Sequence, residues 1–266
     1  MSSKKMKILH ILGAISLFGI IPLYADTVGG EISIGAFNHT PSGYASYTLP
    51  YIGLGTSADL QNTFQWRSET DLLLKAYIEH PLPFLPNVKV AYTTLSQSGN
   101  NTVNDFTWGN IVIPSNGSIE NSFEWTKYDM TFYYELLDNW LELDAGITLG
   151  YIDGNIAVTA VSGFGPLMAP PITESTDFSL FIPTLYGKSR FNIPSTDISL
   201  QAEGDFFSYN DTTYYDFELS ARYTFTMGLG LECGYKALHF DSSDLVDGLV
   251  IESDFDGLYA AMVWNF

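Results

Sequence analysis

The chain has 266 residues, 46% hydrophobic and 15% aromatic but only 15% charged, with 11 Lys and Arg against 30 Asp and Glu for a formal charge of -19. That charged fraction lies well below the roughly 25% of soluble domains, while a mean hydropathy of +0.08 is far too low for a bundle of apolar transmembrane helices. The aromatic content argues against disorder, and a pI near 4.2 excludes a nucleic-acid partner, because phosphate binding needs a basic face.

Residues 1–25 read as a signal peptide. Lys4, Lys5 and Lys7 form the positive region, Ile8 to Ile21 the apolar run, and Ala25 supplies the small residue before the cut. The apolar run is shorter than the ~20 residues of a bilayer-spanning helix. Cleavage removes three Lys and no acid, so residues 26–266 carry 30 acids against 8 bases, a charge of -22. The single Cys233 permits no disulfide within the chain.

From residue 28 onward the apolar residues alternate with polar ones, the period of β-strands rather than helices. Ten strands are expected, over 28–37, 70–80, 87–96, 122–136, 140–152, 178–191, 197–209, 214–226, 230–240 and 253–266. Their lengths reach or exceed the ~9 to 11 residues with which a tilted strand crosses a membrane. Connections after even-numbered strands are short, and those after odd-numbered strands are long with one exception. This is the asymmetry of an outer-membrane barrel, with tight periplasmic turns and large outer loops. The predicted fold is all-β, a transmembrane antiparallel up-and-down β-barrel of ten strands. Twelve is the alternative if Tyr44 to Tyr51 or Phe106 to Ile113 forms a further membrane hairpin.

The two faces of these strands differ. One parity, including Ile32, Leu74, Met130, Leu149, Leu219, Leu231 and Met262, carries no charge, as a lipid-facing wall requires. Tyr134, Trp140, Phe191, Phe225, Trp264 and Phe266 gather at the turn ends as an interfacial girdle. The opposite parity carries Lys75, Glu79, Lys89, Lys127, Asp129, Glu135, Glu142, Asp144, Lys188, Arg190, Glu203, Asp205, Asp216, Glu218, Arg222 and Lys236, together with Glu31, Asp71 and Glu232. These are expected to form a charge network in the lumen, because a buried Lys or Arg must find a carboxylate. Ten strands enclose little more than eight, so the lumen is expected to be largely plugged.

The chain closes on Leu258-Tyr259-Ala260-Ala261-Met262-Val263-Trp264-Asn265-Phe266, with apolar residues at alternate positions back from the last. Trp264 and Phe266 match the signal read by the barrel-assembly machinery. The chain also resembles an uncharacterised bacterial outer-membrane β-barrel protein family named for a Gly-Gly pair at the mature N-terminus. The residues that carry the likeness are Asp26-Thr27-Val28-Gly29-Gly30-Glu31-Ile32, His39-Thr40-Pro41-Ser42-Gly43, Glu69-Thr70-Asp71-Leu72, Lys75-Ala76-Tyr77-Ile78-Glu79-His80-Pro81, Tyr133-Tyr134-Glu135-Leu136-Leu137-Asp138-Asn139-Trp140 and the last strand. The resemblance implies the same barrel over residues 26–266. That family has no established activity, so it implies no catalytic residues.

Candidate chemistry is sparse. His39 and Ser42 open the first outer loop, and His239 and Asp241 lie at the outer rim of the ninth strand, about two strand spacings away. Together they are a weak candidate for an acyl-transfer site. The acids from Asp241 to Asp256 read as a solvated fifth outer loop, since their spacing is not that of an EF-hand. No cofactor motif and no metal-ligand set occurs. The expected role is that of a monomeric, non-enzymatic surface or structural barrel. Its partners would be outer-membrane lipid, lipopolysaccharide and the barrel-assembly machinery, with no nucleic acid. The alternatives are a small cation-preferring channel, or an outer-leaflet hydrolase or acyltransferase using His39 or His239.

Overall fold

The computed structural model describes residues 29–266 apart from 50–53, 83, 162, 165–166, 169, 210–211 and 247, with backbone alone at 163–164, 167–168 and 243–246. The expected signal peptide, residues 1–25, and Asp26-Thr27-Val28 lie outside the described residues. Ten long strands make the wall: β1 Gly29–Tyr47, β2 Glu69–Glu79, β3 Asn87–Val103, β4 Gly117–Leu137, β5 Leu141–Val161, β6 Ile172–Asn192, β7 Ile198–Tyr209, β8 Thr212–Thr224, β9 Leu229–Val246 and β10 Leu249–Asn265. Each pairs antiparallel with the next, and β10 closes on β1 in unbroken register from Glu31↔Asn265 to Tyr47↔Leu249. Closure removes the sheet edges that would otherwise leave backbone groups unpaired in a membrane.

The wall is taller at its long-loop end than the sequence pattern suggests. β1 continues to Tyr47, β3 to Val103, β5 to Val161 and β9 to Val246, while β4 starts at Gly117 and β6 at Ile172. The expected fifth loop is therefore not a loop: Asp241 pairs with Glu252 in the β9–β10 ladder, which has a register shift between Ser242 and Val246. Phe106–Trp108 and Ile111–Ile113 do form a hairpin, but as a separate two-stranded sheet, so the membrane count is ten rather than twelve.

The extra height is explained by an exchange of chemistry between the faces. In β4, Tyr128, Met130 and Tyr134 face outward with Lys127, Asp129 and Thr131 inside; nearer the long loops, Glu120, Ser122 and Glu124 face outward with Ile119, Phe123 and Trp125 inside. In β10, Leu258, Ala260 and Met262 give way in the same way to Glu252, Asp254 and Asp256, over Ile251 and Phe255. The barrel thus has two storeys. The lower is apolar outside and charged inside; the upper is polar outside and apolar inside, as in a protein surrounded by water.

A closed belt of exposed Leu, Ile, Met and aromatic side chains around the lower storey far exceeds the apolar patch a soluble monomer tolerates. Its short-turn rim carries paired rings, with centroids 5.6 Å apart for Trp140 and Phe191 and 5.1 Å for Trp264 and Phe266. Cys233 is exposed on this belt. In proteoliposomes its thiol is expected to resist a charged, water-soluble maleimide while the barrel is folded and to react after unfolding in denaturant; prompt labelling of the folded chain would place it in water instead.

Candidate functional site

The lower storey of the lumen holds a network of charged side chains. Its middle is Glu203 on β7. One carboxylate oxygen lies 3.2 Å from Lys75 Nζ and the other 2.7 Å from Lys89 Nζ. The Tyr77 and Tyr186 hydroxyls donate to the same carboxylate at 3.0 and 3.2 Å, and the Gln201 amide donates at 3.3 Å. Lys75 also meets Glu218, which Lys236 reaches at 2.8 Å while pairing with Asp216. Lys127 pairs with Asp129 at 2.6 Å, and Asp205 accepts from Thr184 at 2.7 Å with Lys89 3.8 Å away. Charges from distant strands meet because tilted strands bring inward positions far apart in sequence to one level of the barrel.

Toward the short turns a guanidinium pair takes over. Arg222 grips both oxygens of Glu31, at 2.6 and 2.8 Å, and donates to Glu232 through Nε at 2.8 Å. Arg190 joins Glu31 at 3.2 Å and Glu142 at 3.3 Å. Bidentate forks of this kind are geometrically specific as well as strong. Lys188 pairs with Asp144 at 3.4 Å and lies over the Tyr77 ring, and Tyr133 donates to Glu79 at 3.0 Å. Below this level a cavity of about 310 Å³ opens between the short turns, lined by Glu79, Glu135, Asp138, Glu142, Asp144 and Arg190 among others. Each inward Lys and Arg named from the sequence has an acidic partner. Glu135 stands at the mouth of this cavity.

The upper storey is filled by an aromatic cluster that sequence reasoning missed. Phe37, Phe123, Trp125, Phe178, Phe240 and Phe255 project inward from the wall and are buried. Phe123 stacks on Phe255 at 6.0 Å, and Trp125 meets Phe240 edge-on at 5.0 Å. The first long loop adds Leu60, Phe64 and Trp66, and the hairpin adds Phe106, Trp108, Ile111 and Ile113. The loop is pinned by polar bonds: Trp66 Nε1 donates to Asn121 at 2.6 Å, and the Asn121 amide donates back to the Phe64 carbonyl at 3.0 Å. A Cβ on Gly99 would lie 1.9 Å from that carbonyl, so only glycine lets the loop sit this close to β3. Phe123 and Trp125 fall within the expected fourth strand and Ile119 in the loop expected before it, but their inward direction is missed if the apolar face is assumed always to point outward.

The four weak catalytic candidates do not assemble. His39 is not in a loop but within β1, with 0% exposure. Its Nε2 lies 2.9 Å from Asp71, its Nδ1 has no partner among the described residues, and its ring lies 5.1 Å from Phe37 and 5.4 Å from Phe255. Ser42 faces outward on the same strand. His239 also faces outward, stacked on Tyr215 at 5.0 Å with Nδ1 2.7 Å from Asp254, and Asp241 is on that outer face. In register, His239, Asp254 and Ser42 form a row across β9, β10 and β1. The carboxylate is in the middle of that row, whereas a catalytic triad needs the imidazole there. Ser42 is two strand spacings, roughly 10 Å, from the imidazole. Among the described residues, no group of three or more His, Cys, Asp and Glu is disposed to hold a metal ion.

The fold has solved counterparts. The outer-membrane protease OmpT of Escherichia coli superposes with a TM-score of 0.57 at 14% sequence identity, covering 93% of this chain and 99% of that one. The chain has the fold of a bacterial outer-membrane β-barrel. Two further barrels are more distant: the attachment invasion locus protein Ail of Yersinia pestis at TM-score 0.37 and 11% identity, covering 89% of this chain and 99% of its own, and a major outer-membrane protein of Thermus thermophilus at 0.38 and 12%, with the same coverage. No protein-family model matches the sequence, and no curated protein does.

Proposed function

We propose that this is an integral outer-membrane barrel without enzymatic activity, closed to solute passage, which presents its polar upper storey outside the cell as a structural or binding surface. The observation that carries the reading is the filling of the lumen. Above the cavity between the short turns, an interior space among Lys75, Lys89, Glu203 and Glu218 measures only about 20 Å³, and the aromatic cluster lies beyond it. A hydrated ion would have to displace first a layer of ion pairs and then a layer of rings. Catalysis by the histidines has no geometric support, because His39 is buried and His239 bonds to Asp254, with no hydroxyl partner among the described residues. OmpT is a protease, but at this identity the likeness extends to the fold alone. Membership of the family named for the Gly-Gly pair rests on the sequence motifs.

Conductance tests the reading. Purified barrel in planar bilayers at moderate salt is expected to give no unitary current steps; regular cation-selective steps would replace this proposal with the channel.

A further inference from the structure

Among the short turns, residues 80–86 have the composition of a membrane-inserting segment. The sequence His80-Pro81-Leu82-Pro83-Phe84-Leu85-Pro86 carries no Asp, Glu, Lys or Arg, whereas the turns at 138–140 and 193–197 each hold an Asp. Leu82, Phe84 and Leu85 are exposed, Phe84 to 89%. None of the described residues covers them.

Two features make the segment suited to a medium poor in water, where each backbone polar group must find a partner. Three of its seven residues are prolines and have no N–H to place. Of the other four, three place their N–H: His80 N donates to Asn87 Oδ1 at 3.0 Å, Leu82 N to His80 Nδ1 at 3.2 Å and Leu85 N to the Leu82 carbonyl at 3.2 Å. With His80 Nδ1 accepting, Nε2 donates to the Pro86 carbonyl at 3.2 Å, and the imidazole clips the turn together. The second feature is direction. Tyr134 belongs to the apolar outer belt, and its hydroxyl donates to the Phe84 carbonyl at 3.4 Å. The turn therefore leans outward over the wall and continues the lipid-facing surface, instead of standing out into the aqueous phase like a polar turn.

We propose that residues 80–86 are an interfacial anchor, with Leu82, Phe84 and Leu85 inserted among the phospholipids of the leaflet at the short-turn end. The inference rests on the membrane reading above and adds to it a lipid-binding element outside the strands. Aromatic and aliphatic side chains at this depth gain by leaving water.

Spin labels test it in the full-length mature chain carrying Cys233→Ser, refolded into phosphatidylethanolamine–phosphatidylglycerol vesicles, with folding checked by heat-dependent gel mobility. Labels are placed singly by Phe84→Cys, by Leu136→Cys on the belt and by Ser195→Cys in a polar turn. Oxygen, which partitions into lipid, and a water-soluble nickel chelate report the surroundings of each. The expected result is that the label at 84 matches the one at 136, with high oxygen access and nickel access several-fold below that at 195. Nickel access at 84 equal to that at 195, with 136 still shielded, would place the turn in water and overturn the anchor alone. Low access to both probes at 84 would mean protein covers it and also overturns the anchor. Nickel access at 136 itself would overturn the anchor together with the membrane reading.

Discussion

Replacing Glu203 with alanine is expected to lower the stability of the folded barrel by about 3–5 kcal/mol, the range for removing one partner from a buried ion pair. The cause is what remains. Lys75 keeps Glu218 as a close partner, but Lys89 is left with the longer contact to Asp205 at 3.8 Å and the face of the Tyr186 ring, and the Tyr77 and Tyr186 hydroxyls lose their acceptor. Glu203→Gln keeps an acceptor for the tyrosines and should fall between wild type and alanine. Tyr186→Phe removes one neutral donor and should cost about 1 kcal/mol. Denaturant unfolding in a single detergent, followed by tryptophan fluorescence, measures all three. Equal stability of the alanine variant and wild type would mean that the network is hydrated and contributes little.

The second large effect concerns the upper storey. Trp66→Ala should destabilise the chain by about 3–5 kcal/mol if the cavity does not collapse, the usual range for deleting a buried Trp or Phe side chain. Its consequence should also be local. Trp66 anchors the first long loop through its rings against Phe64 and Phe123 and through its bond to Asn121, so the loop should detach before the wall opens. Limited proteolysis of intact proteoliposomes is expected to cut within residues 54–68 in the variant while sparing wild type, with the heat-dependent gel shift retained. Protection equal to wild type would show that the other loop contacts suffice. Conductance should remain absent in Trp66→Ala, because the ion-pair layer beneath is untouched.

Strand direction and the identity of the inward charges were legible in the sequence for one reason. Period 2 combined with an uncharged face assigns each side chain to lipid or lumen, and Lys75, Lys89, Lys188, Arg222 and Lys236 all lie on the buried side as that parity requires. The pattern lost its meaning where the surroundings change from hydrocarbon to water. Ile119, Ile156 and Ile251 keep the parity of the charges below them, but their apolar character made the outer ends of β4, β5 and β10 look like loops. His39 was misplaced in the same way, since a polar residue near the end of an apolar run reads as a boundary even though the strand continues.

The sequence alone determined that this chain closes into a barrel with one face uncharged and the other carrying its bases, because that choice depends on alternation, which is local. Only the tertiary structure decided between ten strands and twelve, which acid meets which base, and that an aromatic layer and two long-loop segments pack inside the upper storey. It also decided that His239, Asp254 and Ser42 stand in a row with the carboxylate in the middle. Those outcomes depend on register between strands and on strand tilt, which bring together positions more than a hundred residues apart, as with Lys75 and Glu203. No period within a single strand encodes them.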